Sequence, residues 1–313
     1  MNPWFSDDGR LRAGWRFLLG AVVAFVANYI AIGVAVSLAH GGESVLESVY
    51  RPLTMLLLLA GFGLLLVTAD QVHENILLAL GLGRFPGWRR QAAWGMAIGA
   101  GLVCVAVIWI ALAGRANIEI KLTVRTVELV LLVLFVLATG AMAEELMFRS
   151  YPFQRLLEAV GPAPATLVMS LLFALAHGRN PHASKLAIFN TFAIAVLLCV
   201  AYLQTRALWL PWGIHFAWNT TLGVVFGLPV SGLTDFAVIV RTRAVGPRWV
   251  TGGAYGIEGS VVGTVVILLG FIPLILLTRR RADATLEAAP GAPPGHWDEP
   301  GASDEPSAPR IQL

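Results

Sequence analysis

Long apolar runs alternate with short polar connections along most of the chain. A helix needs about 20 mostly apolar residues to cross a bilayer. The apolar runs cover residues 16–39, 52–69, 92–114, 127–148, 164–178, 186–204, 209–228 and 259–278. The fifth run is too short to cross by itself. The pattern predicts an all-α, polytopic membrane helical bundle of about eight transmembrane helices, with seven or nine as the alternatives.

Composition supports a membrane protein and argues against a soluble enzyme. Of the 313 residues, 57% are hydrophobic and only 13% are charged, whereas soluble domains contain about 25% charged residues. Both cysteines, Cys104 and Cys199, lie in apolar runs, which argues against a disulfide framework or a cysteine metal site. No basic cluster is interleaved with exposed aromatic residues, so we expect no nucleic-acid partner.

The composition changes abruptly near the carboxyl end of the chain. Residues 282–313 contain six acidic residues, six prolines and one arginine, a composition that cannot bury enough apolar surface to fold. We therefore predict two parts: a membrane-embedded domain over residues 1–281 and a disordered, acidic, proline-rich tail over 282–313.

Basic residues in the connections predict the orientation in the membrane. If eight spans begin with the amino terminus inside, twelve Lys or Arg residues flank the cytoplasmic ends and nine, including Arg51, flank the other ends. Cytoplasmic connections are the ones enriched in Lys and Arg. We expect an integral protein of the plasma (inner) membrane with both termini in the cytoplasm.

Ionisable side chains inside membrane spans are costly and usually functional, and here they fall into three groups. The fourth run ends in Glu144, Glu145 and Arg149, the fifth carries Phe173 and His177, and the seventh carries His215 and Asn219.

Spacing separates the two glutamates of the first group. Glu145 and Arg149 are four residues apart, which favours an ion pair on one helix face. Glu144 is rotated by about 100° from that face, so we expect it to be unpaired and suited to act as a general base. The alternative is that both acids simply pair with Arg149 and Arg155 at the membrane surface.

The other two groups are expected to reach the same place. His215 and Asn219 share a helix face and could donate to one oxyanion; alternatively they are hydrogen-bonding residues that only hold helices together. The breaker at 161–164 predicts a hairpin between the fourth and fifth spans. In that hairpin the depths of Glu144 and His177 differ by about 4–5 Å. All three groups can then converge near the cytoplasmic leaflet.

Signals of other membrane hydrolases are missing from the sequence. No HExxH occurs, since the nearest segment, 73–77, ends in Leu77 and lacks the second histidine of a zinc site. No Gly-x-Ser-x-Gly occurs either, and the spans hold no pair of aspartates.

The three groups together resemble the CPBP family of intramembrane endopeptidases, which includes CAAX prenyl endopeptidases, bacteriocin-processing enzymes and Abi-type proteins. The likeness covers about residues 127–225 and the eight-helix layout. The family motifs EExxxR, FxxxH and HxxxN match Glu144, Glu145 and Arg149, then Phe173 and His177, then His215 and Asn219. The stretch from Gly252 to Gly259, which contains Glu258, also resembles bacterial members.

The resemblance implies an intramembrane glutamic-type endopeptidase that cleaves a hydrophobic or lipid-anchored polypeptide at the bilayer. Glu144, assisted by His177, would activate water, and His215 and Asn219 would stabilise the oxyanion. Glu145, Arg149 and Phe173 would support the site. No cofactor is then needed. The alternative mechanism uses zinc, with Glu144, His177 and His215 as ligands.

Two other classes of function stay open on the sequence. One is a non-catalytic membrane scaffold or immunity-type protein that binds a peptide in the same cavity. The other is a transporter in which Glu144 carries protons, although no internal repeat of broken helices is evident.

Overall fold

The computed structural model describes residues 4–6, 9–39, 43–112, 116–120 and 126–276. The predicted tail, 282–313, lies outside these residues. In chain order the helices are α1 Ala13–Leu38, α2 Glu43–Thr68, α3 Ile76–Ala79, α4 Trp88–Leu112, α5 Thr126–Arg149, α6 Tyr151–Val160, α7 Pro162–Ala176, α8 Lys185–Thr205, α9 Trp209–Thr220, α10 Arg248–Thr251 and α11 Val261–Leu269.

The helices form an all-α membrane bundle, as predicted, but the count of eight spans is not confirmed. Five helical segments are long and apolar enough to cross a membrane: Ala13–Leu38, Leu46–Thr68, Trp88–Leu112, Glu128–Val160 and Lys185–Thr205. Helices also lie at the other three predicted spans, but they are shorter. α7 has 15 residues, α9 has 12 before it continues as a π-helix, and the last apolar helix covers Val261–Leu276.

A small β-sheet adds to the helical bundle. Strands β1 (Ala116–Ile120) and β2 (Val240–Ala244) pair antiparallel. Hydropathy alone did not predict this sheet, because its strands are five residues each and lie in the connections between apolar runs.

The turn predicted at 161–164 separates α6 from α7. Gly161 has a φ of +81°, a left-handed conformation that glycine adopts without strain. Pro162 then begins α7, a position where its missing N–H costs no helical hydrogen bond. The chain therefore reverses at the predicted place.

Close packing of α4 against α9 holds the helix that carries His215. A Cβ atom at Gly95 or Gly99 would lie 2.3 Å from a carbonyl oxygen of α9, that of Leu210 or Ile214 respectively. Small residues allow such close approach of two membrane helices. This GxxxG pair therefore serves packing inside the monomer.

The helix α5 joins the two hydrophobic cores of the bundle. Its residues Val136 and Leu137 pack into a core built mainly from α4, α8, α9 and α11. One to two turns later, Met142, Ala143 and Leu146 pack into a second core with α1, α2 and α6–α8. Polar side chains on this part of α5 therefore lie where the two cores meet.

Candidate active site

The structure brings Glu144 together with two imidazoles from different helices. Its Oε2 lies 3.8 Å from His177 Nε2, just after α7, and 3.7 Å from His215 Nε2 on α9. Among the described residues, this oxygen has no hydrogen-bond partner. Residues separated by up to about 70 positions in the sequence thus face one small gap.

Hydrogen bonds at the far side of each ring determine which nitrogen carries the proton. His177 Nδ1 lies 2.8 Å from the carbonyl oxygen of Phe173, and His215 Nδ1 lies 2.8 Å from Glu145 Oε1. Both partners are acceptors, so each Nδ1 is a donor and each Nε2 is an acceptor in the neutral ring. Three acceptor atoms therefore face each other, an arrangement that a water molecule with two hydrogens, or a cation, would satisfy.

The predicted ion pair on α5 forms and is fully buried. Arg149 Nη1 lies 3.3 Å from Glu145 Oε1, and both side chains are 0% exposed. Arg149 also donates to the carbonyl oxygen of Ala195 on α8, at 3.4 Å. Glu145 therefore links a buried arginine to His215 and holds that ring in place.

Phe173 forms an aromatic wall at the centre of the site. Its ring centroid lies 4.4 Å from that of His177 and 6.2 Å from that of His215. The Arg149 guanidinium sits 4.4 Å from the same centroid, a distance typical of a cation–π contact. Phe173 thus packs against both imidazoles and against the arginine that anchors Glu145.

Asn219 lies one turn after His215 on α9 and is half-buried. Its amide makes no hydrogen bond with another residue that the structure describes. The amide donors of Asn219 are therefore not occupied by helix packing, whereas the Nδ1 donor of His215 is taken by Glu145 on α5. The catalytic role of Asn219 stays a prediction.

One expectation about Glu144 is wrong: the carboxylate is not unpaired. Arg51 Nη1 lies 3.4 Å from Glu144 Oε1, and Arg51 Nε lies 2.5 Å from Glu47 Oε2. Arg51 was expected in a connection, whereas it lies within α2. The missed signal is the four-residue spacing of Glu47 and Arg51 beside an apolar run, which indicates a helix that starts earlier.

The alternative in which Glu144 pairs with Arg155 at the membrane surface is also wrong. Arg155 contacts Asp70 at 3.0 Å and Glu158 at 2.9 Å. Arg16 of α1 contacts the same two carboxylates, each at 3.0 Å. This separate network joins α1 and α6 to the connection after α2.

A further carboxylate, that of the half-buried Glu258, lies beside α9. Trp218 Nε1 donates to its Oε1 at 3.0 Å, and both the backbone N–H and the hydroxyl of Ser231 donate to its Oε2. Burial raises the pKa of Glu258 above its ordinary value, and these donors oppose that rise only in part. In the sequence, Glu258 stands out only through the family likeness of residues 252–259, and no contact was predicted for it.

Glu144, His177 and His215 were also the ligands proposed for zinc, and their donor types fit that ion. Metal-ligating histidines typically donate their other nitrogen to a carboxylate or carbonyl, as both rings do here. Ligands of a tetrahedral zinc ion lie about 3.3–3.4 Å apart. As they stand, no three His, Cys, Asp or Glu side chains of the described residues form a group that could hold a metal ion. The observed 3.7 and 3.8 Å would have to shorten by a few tenths of an ångström.

One comparison with known proteins finds a likeness to a protein family. Residues 126–221 match the family model described as Type II CAAX prenyl endopeptidase Rce1-like. The match supports a CPBP/CAAX protease assignment for this chain. No curated protein and no solved structure matches it. Together with the five apolar helices, the match indicates a membrane protease and hydrolase.

The matched segment covers about a third of the chain and contains all three groups of polar residues singled out in the sequence. It runs from α5 to the start of the π-helix after α9. Arg51 and Glu258 lie outside it, on opposite sides in the sequence. Their contacts with this segment are therefore visible only in the tertiary structure.

Proposed function

We propose that this chain is an intramembrane endopeptidase that hydrolyses a peptide bond with a water activated by Glu144. One observation carries the proposal. Glu144 Oε2 has no hydrogen-bond donor among the described residues, and it faces two imidazole nitrogens at 3.7 and 3.8 Å. A water in that gap would donate to the carboxylate and to one imidazole, with its lone pairs directed away from them.

The reaction then needs one proton transfer in each direction. As the water oxygen attacks the peptide carbonyl carbon, a proton passes from the water to Glu144 Oε2. Glu144 returns it to the leaving nitrogen when the carbon–nitrogen bond breaks, so that a carboxyl group and an amine are formed. His177 holds the water, and His215 accepts a hydrogen bond from the protonated glutamic acid.

Asn219 is the residue proposed to stabilise the oxyanion. Its amide N–H groups are donors in every protonation state. His215 can donate from Nε2 only when the ring carries both protons, because Glu145 already takes the Nδ1 hydrogen. The oxyanion role implied for His215 by the family resemblance therefore depends on its protonation, whereas that of Asn219 does not.

The substrate that we propose is a hydrophobic or lipid-anchored polypeptide. The family that matches is named for CAAX prenyl endopeptidases, and a site built from helices within apolar cores is reached most easily by a chain already at the bilayer. A prenylated peptide is one member of this class. A non-prenylated hydrophobic peptide is the other one to test.

We also propose that both termini lie in the cytoplasm. Trp209 at the start of α9 donates to the carbonyl oxygen of Gly83, which places the connection after α2 beside the α8–α9 connection. Arg16 of α1 binds Asp70 in the same region. Arginines at 84, 89, 90 and 206 lie in these segments, as expected for a cytoplasmic side.

The test uses the purified full chain in lipid nanodiscs with prenylated and unmodified hydrophobic peptides in H₂¹⁸O. We expect fragments in which the new carboxyl group carries one ¹⁸O, and their loss in Glu144→Gln. Glu158→Gln, a matched change in the separate ion-pair network, should cleave normally. Tight peptide binding without cleavage would instead support the scaffold function, and equal cleavage by Glu144→Gln would refute the proposed mechanism.

Zinc catalysis by the same residues is the second candidate mechanism. It is favoured by three acceptor atoms that face each other, with each imidazole held by an acceptor on its far side. Zinc bound there would activate water. Metal analysis of the active protein distinguishes the two mechanisms: stoichiometric zinc that is lost together with activity supports zinc, and full activity without metal supports glutamate-activated water.

A further inference from the structure

We propose that Arg51 is a positioning residue of the active site, which orients the Glu144 carboxylate by holding one of its oxygens. The inference rests on the proposed function, because it assigns Arg51 a task in water activation by Glu144. Arg51 lies on α2, outside the segment matched by the family model. Its side chain is only 15% exposed.

The two oxygens of the Glu144 carboxylate have different neighbours. Arg51 Nη1 lies 3.4 Å from Oε1, while Oε2 faces His177 and His215. The last torsion of a glutamate side chain is broad and roughly two-fold. An arginine at Oε1 narrows this rotation, so that Oε2 stays directed at the imidazoles.

Arg51 is itself held in place by an ion pair on its own helix. Glu47 lies one turn earlier on α2, and its Oε2 is 2.5 Å from Arg51 Nε. Charge-assisted contacts of this kind fix the planar guanidinium in direction as well as position. Glu47 therefore anchors the arginine on its own helix, and the Nη1 atom reaches across to α5.

The glycine at position 140 leaves space on α5 for the Arg51 side chain. Gly140 lies one turn before Glu144, and a Cβ atom there would be 2.5 Å from both Cδ and Nη1 of Arg51. An arginine that served only to neutralise Glu47 would not need this space. The missing side chain at Gly140 lets Arg51 lie across α5 and contact Glu144.

The experiment measures kcat and KM of the full chain in nanodiscs on the peptide that the wild type cleaves best. We expect Arg51→Met to lower kcat by about 10²-fold, the loss that a displacement of about 1 Å can cause, with little change in KM. Arg51→Lys keeps the charge and should restore part of kcat. Gly140→Ala removes no charged group, yet it should lower kcat because it displaces the arginine.

The matched control is Arg16→Met. Arg16 also bridges two carboxylates, Asp70 and Glu158, each at 3.0 Å, but in the separate network. We expect this change to lower the Tm and to leave kcat of the folded protein unchanged. Measuring Tm for every variant separates loss of folding from loss of catalysis. If Arg51→Met does not fold, Gly140→Ala and Arg51→Lys carry the test.

Added guanidinium ion gives a readout that a purely structural role would not move. In folded Arg51→Ala the ion should raise kcat by refilling the site beside Glu144, and in Glu144→Gln it should have no effect. Unchanged kcat in the folded Arg51 and Gly140 variants, or a change in KM alone, would overturn the inference. Wild-type protein that cleaves no peptide would contradict the proposed function and this inference together.

Discussion

Two half-buried carboxylates, those of Glu144 and Glu258, lie beside α9, and their surroundings differ. Glu258 accepts hydrogen bonds from the Trp218 indole and from the backbone and hydroxyl of Ser231. Glu144 contacts Arg51 through one oxygen, and its other oxygen faces two imidazoles without a donor among the described residues. Both surroundings depend on α9, because Trp218 lies three residues after His215.

The two carboxylates are buried to a similar degree, so the difference between them lies in their hydrogen-bond donors. Both oxygens of Glu258 accept hydrogen bonds from neutral donors, so Glu258 ties α9 to the loop at Ser231. Glu144 is held by Arg51 at Oε1, whereas its Oε2 has no hydrogen-bond donor among the described residues. A buried polar atom that lacks a partner is costly, and a water bound there would relieve that cost. The supply of donors therefore distinguishes Glu144, the carboxylate proposed to be reactive, from Glu258.

The largest expected effect is on kcat, which substitution of Glu144 should lower far more than substitution of Glu258. Glu144→Gln removes the base and should lower kcat by about 10³-fold, within the range typical of general base catalysis. Glu258→Gln should change kcat by less than about tenfold, because no reacting atom touches it. Peptide cleavage followed by mass spectrometry measures both. Similar losses of kcat in the two variants would contradict the different roles proposed for Glu144 and Glu258.

A second prediction concerns the buried pair that holds His215. Arg149→Met leaves Glu145 as an uncompensated buried charge, and breaking a buried pair in this way costs about 3–5 kcal/mol. The Tm should fall strongly, while the double variant Glu145→Gln with Arg149→Met should recover most of the loss. Denaturation in detergent measures both. Equal destabilisation of the single and double variants would show that the pair is not what stabilises α5.

A third prediction tests the donors of Glu258. Trp218→Phe removes one donor and should cost about 1–3 kcal/mol, because it leaves an oxygen of the half-buried Glu258 carboxyl group without that hydrogen bond. Trp212→Phe on the same helix is the control, since its indole donates to a neutral carbonyl, that of Ala138. We expect the smaller Tm loss for Trp212→Phe. The reverse order would mean that the Glu258 network contributes little to stability.

The smallest expected effect is a pH dependence of stability. Burial raises the pKa of Glu258 in the folded protein, so folding favours its protonated form. The cost of ionising it is absent below the unfolded value, about 4.3, and is complete above the folded value. The Tm of the wild type relative to Glu258→Gln should therefore fall as the pH rises from 4 to 7. A difference that stays constant with pH would contradict the assigned surroundings.

Much of the site was predictable because several of its contacts join residues within one helical turn of each other. The pair of Glu145 and Arg149 follows from one helical turn, and Gly161 with Pro162 follows from backbone chemistry. His177 and His215 could be expected near Glu144 because ionisable residues in apolar runs need partners. The contact between Arg51 and Glu144 joins residues 93 positions apart, and no local pattern encodes it.

By itself the sequence determined that the chain forms apolar helices, where the chain turns before the fifth run, and which few ionisable residues those helices contain. These properties depend on composition and on helical periodicity, which act over one or two turns. Only the tertiary structure decided which oxygen of Glu144 stays open, that α2 supplies an arginine to it, and that Glu258 is satisfied by Trp218 and Ser231. Those contacts depend on the crossing of helices that are distant in sequence, and glycines such as Gly99 and Gly140 determine how closely the helices approach.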